Sequence, residues 1–419
     1  MVATRLGARG SLVALGALGV LPALVVLPAL GLGQSYETPP PNGLLSIGAA
    51  PVPDGERFRD PDIRIDRFGA RLSIFHQTGQ GWQSQASQDR SGPGSEYLFV
   101  ANPVLYMHLT QQGGITHDVY MPIDILTSAS TDALDAIATA SRDNESFTLD
   151  VTTTIEDGPD QRLLLRYGGH VEEELKSVNL GAGTSLDFAD DNATLLLTFD
   201  GIVDIFDPVQ WNGVDLGLTQ RLTLSVNGSF SQLLSESTTL TLAWGLTGQL
   251  GHLHTPWNSV PREEGGRIGD YFPNSRLRQA ASARLAQAIP DTRTFFNGGY
   301  RFYADDFGAT AHSADVIATQ YVSDDVWLRG QYRYHSQGAP YFFTTSFPEG
   351  TWTRVPRTAD SDLASLDLHE VSGSVRYFYD RHGQPSATSG WVELGYTYYR
   401  RSNSLEIHMG TIGFCTAVW

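Results

Sequence analysis

Asp305 and Asp306 stand side by side in the run Asp305-Asp306-Phe307-Gly308, with His312 and then Asp315 close behind. Two carboxylates and an imidazole are groups that can activate water or hold a divalent cation, and Asp315 would be the acid that orients the ring. Asp is also favoured in tight turns, where its carboxylate accepts hydrogen bonds from nearby backbone, and no second cluster supplies a nucleophile. The expectation is a structural turn rather than an enzyme, with a hydrolase at the rim as the alternative. No metal and no cofactor is expected. A second set of residues is cationic: Arg301, Arg329, Arg333 and Arg376, joined by His335. Along a lumen wall they would favour anions in transit, or they would pair with carboxylates such as Glu393 and Asp315 and fill the interior. His252 and His254 form a lone His-x-His, which is weak evidence for a metal.

The elements that position these residues are strands. Phe295 to His335 contains three strand-length runs joined by Asp305-Asp306-Phe307-Gly308 and by Ser323-Asp324-Asp325, connections too short for a crossover helix. The three are therefore antiparallel neighbours. In the third run Val326, Leu328, Gly330, Tyr332 and Tyr334 share one face, and Trp327, Arg329, Gln331, Arg333 and His335 share the other, because strand side chains alternate. A soluble sandwich buries the greasy face, whereas an outer-membrane barrel turns it to lipid and keeps the polar face in a lumen.

The rest of the chain decides for the barrel. From Ile63 onward about sixteen strand candidates alternate in the same way, with fourteen as the alternative count; Leu240, Leu242, Trp244 and Leu246 form one such apolar face. The stretches 95–109, 276–289 and the last strand are less regular. Long connections follow odd-numbered candidates, at 77–94, 130–145, 205–216, 252–275 and 338–365, while those after even-numbered candidates are mostly short. A sandwich has no reason to gather its long loops at one end, but a membrane barrel has short periplasmic turns and long outer loops. The connection 380–390 departs from this parity. Tyr332, Tyr334, Tyr377, Tyr379, Tyr396 and Tyr398 suit an interfacial girdle.

Arg5 and Arg9 precede an uncharged apolar stretch from Ser11 to Gly33, the layout of a secretory signal over 1–33. The Pro-rich and Gly-rich segment 34–62 reads as a periplasmic lead-in, leaving 63–419 for the barrel. The formal net charge is -18, which argues against nucleic acid as a partner. A single cysteine, Cys415, rules out a disulfide framework within the chain. The sequence ends on Trp419 in a strand-like run, the form of terminal strand by which barrel-insertion machinery recognises its clients; its apolar residues split between faces, which predicts a bulge or a shifted register.

Tyr300-Arg301-Phe302-Tyr303, the turn Asp305-Asp306-Phe307-Gly308, His312 and Tyr332-Arg333-Tyr334-His335 together resemble the hallmark of an uncharacterised family of bacterial outer-membrane β-barrels. The resemblance is expected to run from Ile63 to Trp419, with Leu126-Thr127-Ser128-Ala129-Ser130 as a looser counterpart of a family Gly-Ala-Ser segment. It implies a barrel in the outer membrane, in contact with its lipid, and no particular substrate. The function expected is a channel or transport component for small polar solutes, anions among them. The alternative is a non-transporting barrel that serves as the rim enzyme or as a scaffold for a partner.

Overall fold

The computed structural model describes residues 63–79, 97–129, 144–210, 212–254, 258–348, 354–379 and 390–418. The signal and lead-in assigned to 1–62, and Trp419, lie outside them. Sixteen antiparallel strands close into a barrel, as the alternation requires and in place of the alternative fourteen. The first nine are β1 (Ile63–Thr78), β2 (Leu98–Gln111), β3 (Ile115–Ala129), β4 (Asn144–Glu156), β5 (Gln161–Val171), β6 (Leu175–Phe188), β7 (Ala193–Phe206), β8 (Thr219–Ser235) and β9 (Thr238–Gly251). A two-stranded ribbon, β10 (Ser259–Pro261) and β11 (Arg267–Gly269), interrupts the wall order. The barrel resumes with β12 (Ser275–Ile289), β13 (Thr294–Asp305), β14 (Thr310–Tyr321), β15 (Val326–Gln337), β16 (Leu366–Tyr379), β17 (Gly390–Arg401) and β18 (Glu406–Ala417).

Closure comes from β1 pairing with β18, so every strand of the barrel has two neighbours and the barrel has no open edge. In hydrocarbon that closure is obligatory, because an unpaired backbone amide there costs several kcal/mol. Leu163, Leu165, Leu242, Trp244, Val316, Leu328, Val375, Leu394 and Ile412 all point outward and exposed. Many of their strand neighbours point inward and are polar, Arg166, Asp315, Arg329, Arg376 and Glu393 among them. A polypeptide with this many large apolar side chains in regular exposed rows has turned its greasy surface to lipid.

The described parts of the long connections 207–218, 252–274 and 338–365 lie together at one end, hereafter the outer end. At the opposite end the turns are tight: 112–114, 157–160, 189–192, 236–237, 290–293 and 322–325. The exceptional connection after β16 falls outside the described residues except at its flanks. Strand β8 runs on to Ser235 through a register shift between Leu233 and Ser235, so its turn is shorter than the sequence suggests. The terminal strand corrects another expectation. β18 pairs with β17 and β1 without a shift; Ile412 and Phe414 face outward, while Met409, Thr411 and Cys415 share the inner face. The mixed apolar pattern reflects a partly apolar inner wall here, not a bulge. Phe75, Val100, Leu366, Leu368, Tyr399, Leu405 and Ile407 form a buried cluster inside the outer end.

The loops 252–274 and 338–365 pack into one cap. Val260, Phe347 and Ala359 are buried together with Ile268 against them, and Phe272, Phe307, Phe342 and Leu363 form a second cluster with Leu253. Isolated bridges join Arg262 to Phe347 and Tyr271 to Arg357. The cap rests on inner-face residues: Gln337 Nε2 donates to the carbonyls of Asp362 and Ala364, each at 2.8 Å, and Arg401 pairs with Asp362. The loop therefore reaches in over the lumen.

The cap contains titratable groups of opposite tendency. Burial raises the Asp270 carboxyl from 3.8 to about 7, against the hydrogen bond from Thr358 and the nearby charges of Arg357 and Arg267. Burial, with His254 and Arg221 nearby, lowers His252 to about 4. Asp270 favours the closed cap below pH 3.8 and loses that effect as pH rises through about 7. His252 favours it above pH 6.5 and loses that effect as pH falls through about 4. The two offset each other between these limits. Asp270→Asn should therefore leave the histidine effect exposed, so that proteolysis within 338–365 accelerates more steeply on acidification from pH 7 to 4 than in the wild type. An unchanged pH profile would show that these groups do not govern the cap.

Candidate selectivity site in the lumen

The outer turn after β13 is built by Asp305. Its Oδ1 accepts the amide of Ala309 at 2.9 Å, and the Gly308 amide donates to the Asp305 carbonyl at 3.1 Å. Gly308 has φ 79°, a conformation that glycine adopts without penalty. Asp305 Oδ2 accepts Nε and Nη2 of Arg276 at 2.9 and 2.5 Å and the Tyr303 hydroxyl at 2.8 Å. This carboxylate is fully committed, and its side chain has no exposed surface. Asp306 is exposed on the same turn.

His312 is not part of this cluster, contrary to its pairing with Asp305 and Asp306 as rim candidates. It lies opposite Phe302 on the outward face, where its Nδ1 is hydrogen-bonded to the Tyr300 hydroxyl at 2.6 Å. Asp315, the suggested orienting acid, points inward to Arg284 at 3.0 Å. Acid and imidazole thus occupy opposite sides of the wall. The same outward arrangement recurs as Tyr332 with His369 and Tyr396 with His408, at 2.8 and 2.6 Å. These pairs lie toward the outer end, so the girdle expected from tyrosines alone also contains histidines. The signal that could have found them is an aromatic-x-aromatic strand followed by a strand with an outward His.

The arginines do face inward, and the structure sorts them. Arg376 pairs with Glu393 and lies over the rings of Trp327 and Trp391, at 4.6 and 3.9 Å. Arg333 meets Glu370 at 3.5 Å. Arg329 lies beside Thr319 at the inner wall toward the opposite end. His335 Nδ1 is hydrogen-bonded to Ser313 at 2.7 Å, with its Nε2 3.2 Å from Gln337. Arg301, next to Ser313 in register, forms no ion pair among the described residues.

Two arginines missed in the sequence complete the group. Arg276 and Arg278 come from β12, whose alternation is obscured because alanines occupy both of its faces. Arg276 stacks on Phe307 at 4.7 Å while holding Asp305. Arg278 is only 6% exposed, and its Nε and Nη2 have no hydrogen-bond partner among the described residues. Buried donors normally find acceptors. Asp305, the acid beside it in register, is already saturated by Arg276, Tyr303 and Ala309. Under the cap, Arg278 and Arg301 thus add positive charge that no neighbouring carboxylate takes up. Among the described residues no group of three metal-ligating side chains occurs. The rings of His252 and His254 are tilted, with centroids 3.9 Å apart, near Arg221 and Arg357, surroundings that disfavour a cation.

Residues 206–413 match the model of a protein family of unknown function, DUF3570. The DUF3570 region takes in the end of β7 and the wall from β8 into β18, with the cap, the Asp305 turn and every arginine singled out above. It is narrower than the span expected from Ile63, and the Leu126–Ser130 segment lies outside it. No curated protein matches the sequence. Among solved structures the chain is similar to the siderophore receptor PirA from Pseudomonas aeruginosa, with 9% identity, a TM-score of 0.42 and 83% of this chain covered. It spans only 61% of that receptor's length. It is also similar to a BenF-like porin from Pseudomonas fluorescens Pf-5, with 9% identity, a TM-score of 0.44 and coverage of 84% of this chain and 99% of that one. The outer membrane protein opdK from Pseudomonas aeruginosa gives 11% identity, a TM-score of 0.41 and coverage of 84% and 98%. Likeness at this level bears on neither solute nor mechanism.

Proposed function

We propose that the protein is an outer-membrane channel for small polar solutes that favours anions. The observation that carries this reading is the buried Arg278, whose Nε and Nη2 have no hydrogen-bond partner among the described residues, with Arg301 further along the same inner wall. Sixteen-stranded barrels are wide enough to hold an aqueous channel, and inward cations that are not neutralised raise the local concentration of anions. The cap narrows the outer mouth in this reading, so solute passes close to the arginines. The greasy exterior is in contact with outer-membrane lipid, and the insertion machinery engages the terminal strand ending in Trp419.

The barrel is not an enzyme in this reading. Support comes from the full engagement of Asp305 and from the outward position of His312. The test is reconstitution of the purified protein in planar bilayers under a salt gradient. Conductance with a reversal potential favouring anions is the expected result. A silent bilayer, or a cation preference, would overturn the reading.

A further inference from the structure

On the outward face near the outer end, β8, β9 and β12 form an open groove of about 310 Å3. Its shape follows from the register. Leu222, Leu250 and Ser275 lie side by side in the row nearest the rim, and Leu224, Gly248 and Leu277 form the next row down. Gly248 is thus a missing side chain between two leucines, and a Cβ placed there would meet nothing within 4 Å. Leu224, Leu250 and Leu277 are all exposed toward lipid. In a bilayer such a recess is filled by a lipid chain, because an empty one forfeits van der Waals contact along its lining.

The mouth of the groove is not apolar. The turn after β13 folds over the start of β12, where the Asp306 amide donates to the Leu277 carbonyl at 3.1 Å, and this brings Asp306 to the edge of the groove. Asp306 is exposed, and its carboxylate has no hydrogen bond or ion pair among the described residues. Arg276, which also borders the groove, is committed to Asp305. The groove therefore offers leucine sides, a vacant floor and an uncompensated negative charge at its mouth.

We infer that this groove holds one molecule of a lipid whose headgroup carries a primary ammonium, with an acyl chain laid over Gly248 between Leu224 and Leu277 and the ammonium on Asp306. A primary ammonium has three N–H donors to give a carboxylate. A trimethylated headgroup keeps the charge but offers no donor, and an anionic headgroup is repelled. The exposed Ser275 hydroxyl can donate to a phosphate or ester oxygen of the same lipid. The site uses the lipid-facing surface of the barrel and is independent of conduction.

Native mass spectrometry of the full-length protein in detergent, supplied with dioleoyl phosphatidylethanolamine, phosphatidylcholine or phosphatidylglycerol, tests it. One bound phosphatidylethanolamine is expected, retained about fivefold more than either of the others, the factor for an ion pair at a solvent-accessible rim. Asp306→Asn should keep a bound lipid and lose the preference among headgroups. Gly248→Leu, which fills the floor, should release the lipid. Gly298→Leu, on the outward face of β13 where a Cβ also meets nothing within 4 Å, should behave as the wild type. Circular dichroism confirms that each variant keeps its strand content. Equal retention of the three lipids by the wild type, a preference that survives Asp306→Asn, or the same result for Gly248→Leu and Gly298→Leu would overturn the site. A bilayer without conductance together with this lipid preference would overturn the channel and leave the groove standing.

Discussion

Leu394→Arg should destabilise the barrel by about 2 to 4 kcal/mol, the cost of placing a guanidinium against hydrocarbon near the bilayer midplane. Leu394 is 61% exposed and points outward from the middle of β17, flanked in register by Val375 and Ile412, with Tyr396 toward the outer end. Nothing polar is at hand to receive a new charge on that face. Leu328, only two residues into β15 and 43% exposed, is nearer the end of the apolar belt, and its replacement by Arg should cost about 0 to 1 kcal/mol because a side chain there can reach the interface. Denaturant unfolding in lipid vesicles reads both. Equal, negligible losses at the two positions would mean that water, not lipid, lies against this face.

Arg301→Glu should turn the channel toward cations without unfolding it. Arg301 has no carboxylate partner among the described residues, so the new acid abandons none, and Arg333 is near enough to interact with it. Reversing one charge at about 5 Å from a passing ion in water changes that ion's energy by about 1.7 kcal/mol, with opposite sign for anions and cations, so their ratio shifts by up to roughly two orders of magnitude at low salt. Screening reduces this at high salt. Arg333→Glu would behave differently, because it sets a second carboxylate against the buried Glu370; its main effect should be a lower melting temperature. Reversal potentials at two ionic strengths, with melting curves for both variants, check the pair. An unchanged anion preference in Arg301→Glu would reduce that arginine to a filler of the lumen.

The contrast between Arg301 and Arg333 shows where reading the chain stops. Both are Arg in a Tyr-Arg-aromatic context on strands that alternate in the same way, and nothing local distinguishes them. Register does, by setting Glu370 opposite Arg333 and Ser313 opposite Arg301. The separation of His312 from Asp305 has the same origin. The turn after β13 places Thr310 opposite Ala304 and hence His312 opposite outward-facing Phe302; a slip of one residue would have sent His312 into the lumen. Arg276 and Arg278 were hidden for another reason. Alanine sits comfortably on either face of a strand, so β12 carries little alternation to read.

What the sequence determined by itself is the part governed by a period of two. Outward Leu328 and inward Arg329, the sixteen strands, the gathering of long loops at one end and the Asp-built turn all follow from side-chain alternation and turn chemistry, which are local. What the tertiary structure decided depends on groups far apart in the chain: which acids neutralise which arginines, and how 252–274 and 338–365 share a core. The physical reason is that a strand's own residues fix which way each side chain points, while its neighbours' register and the folding of loops fix what that side chain meets.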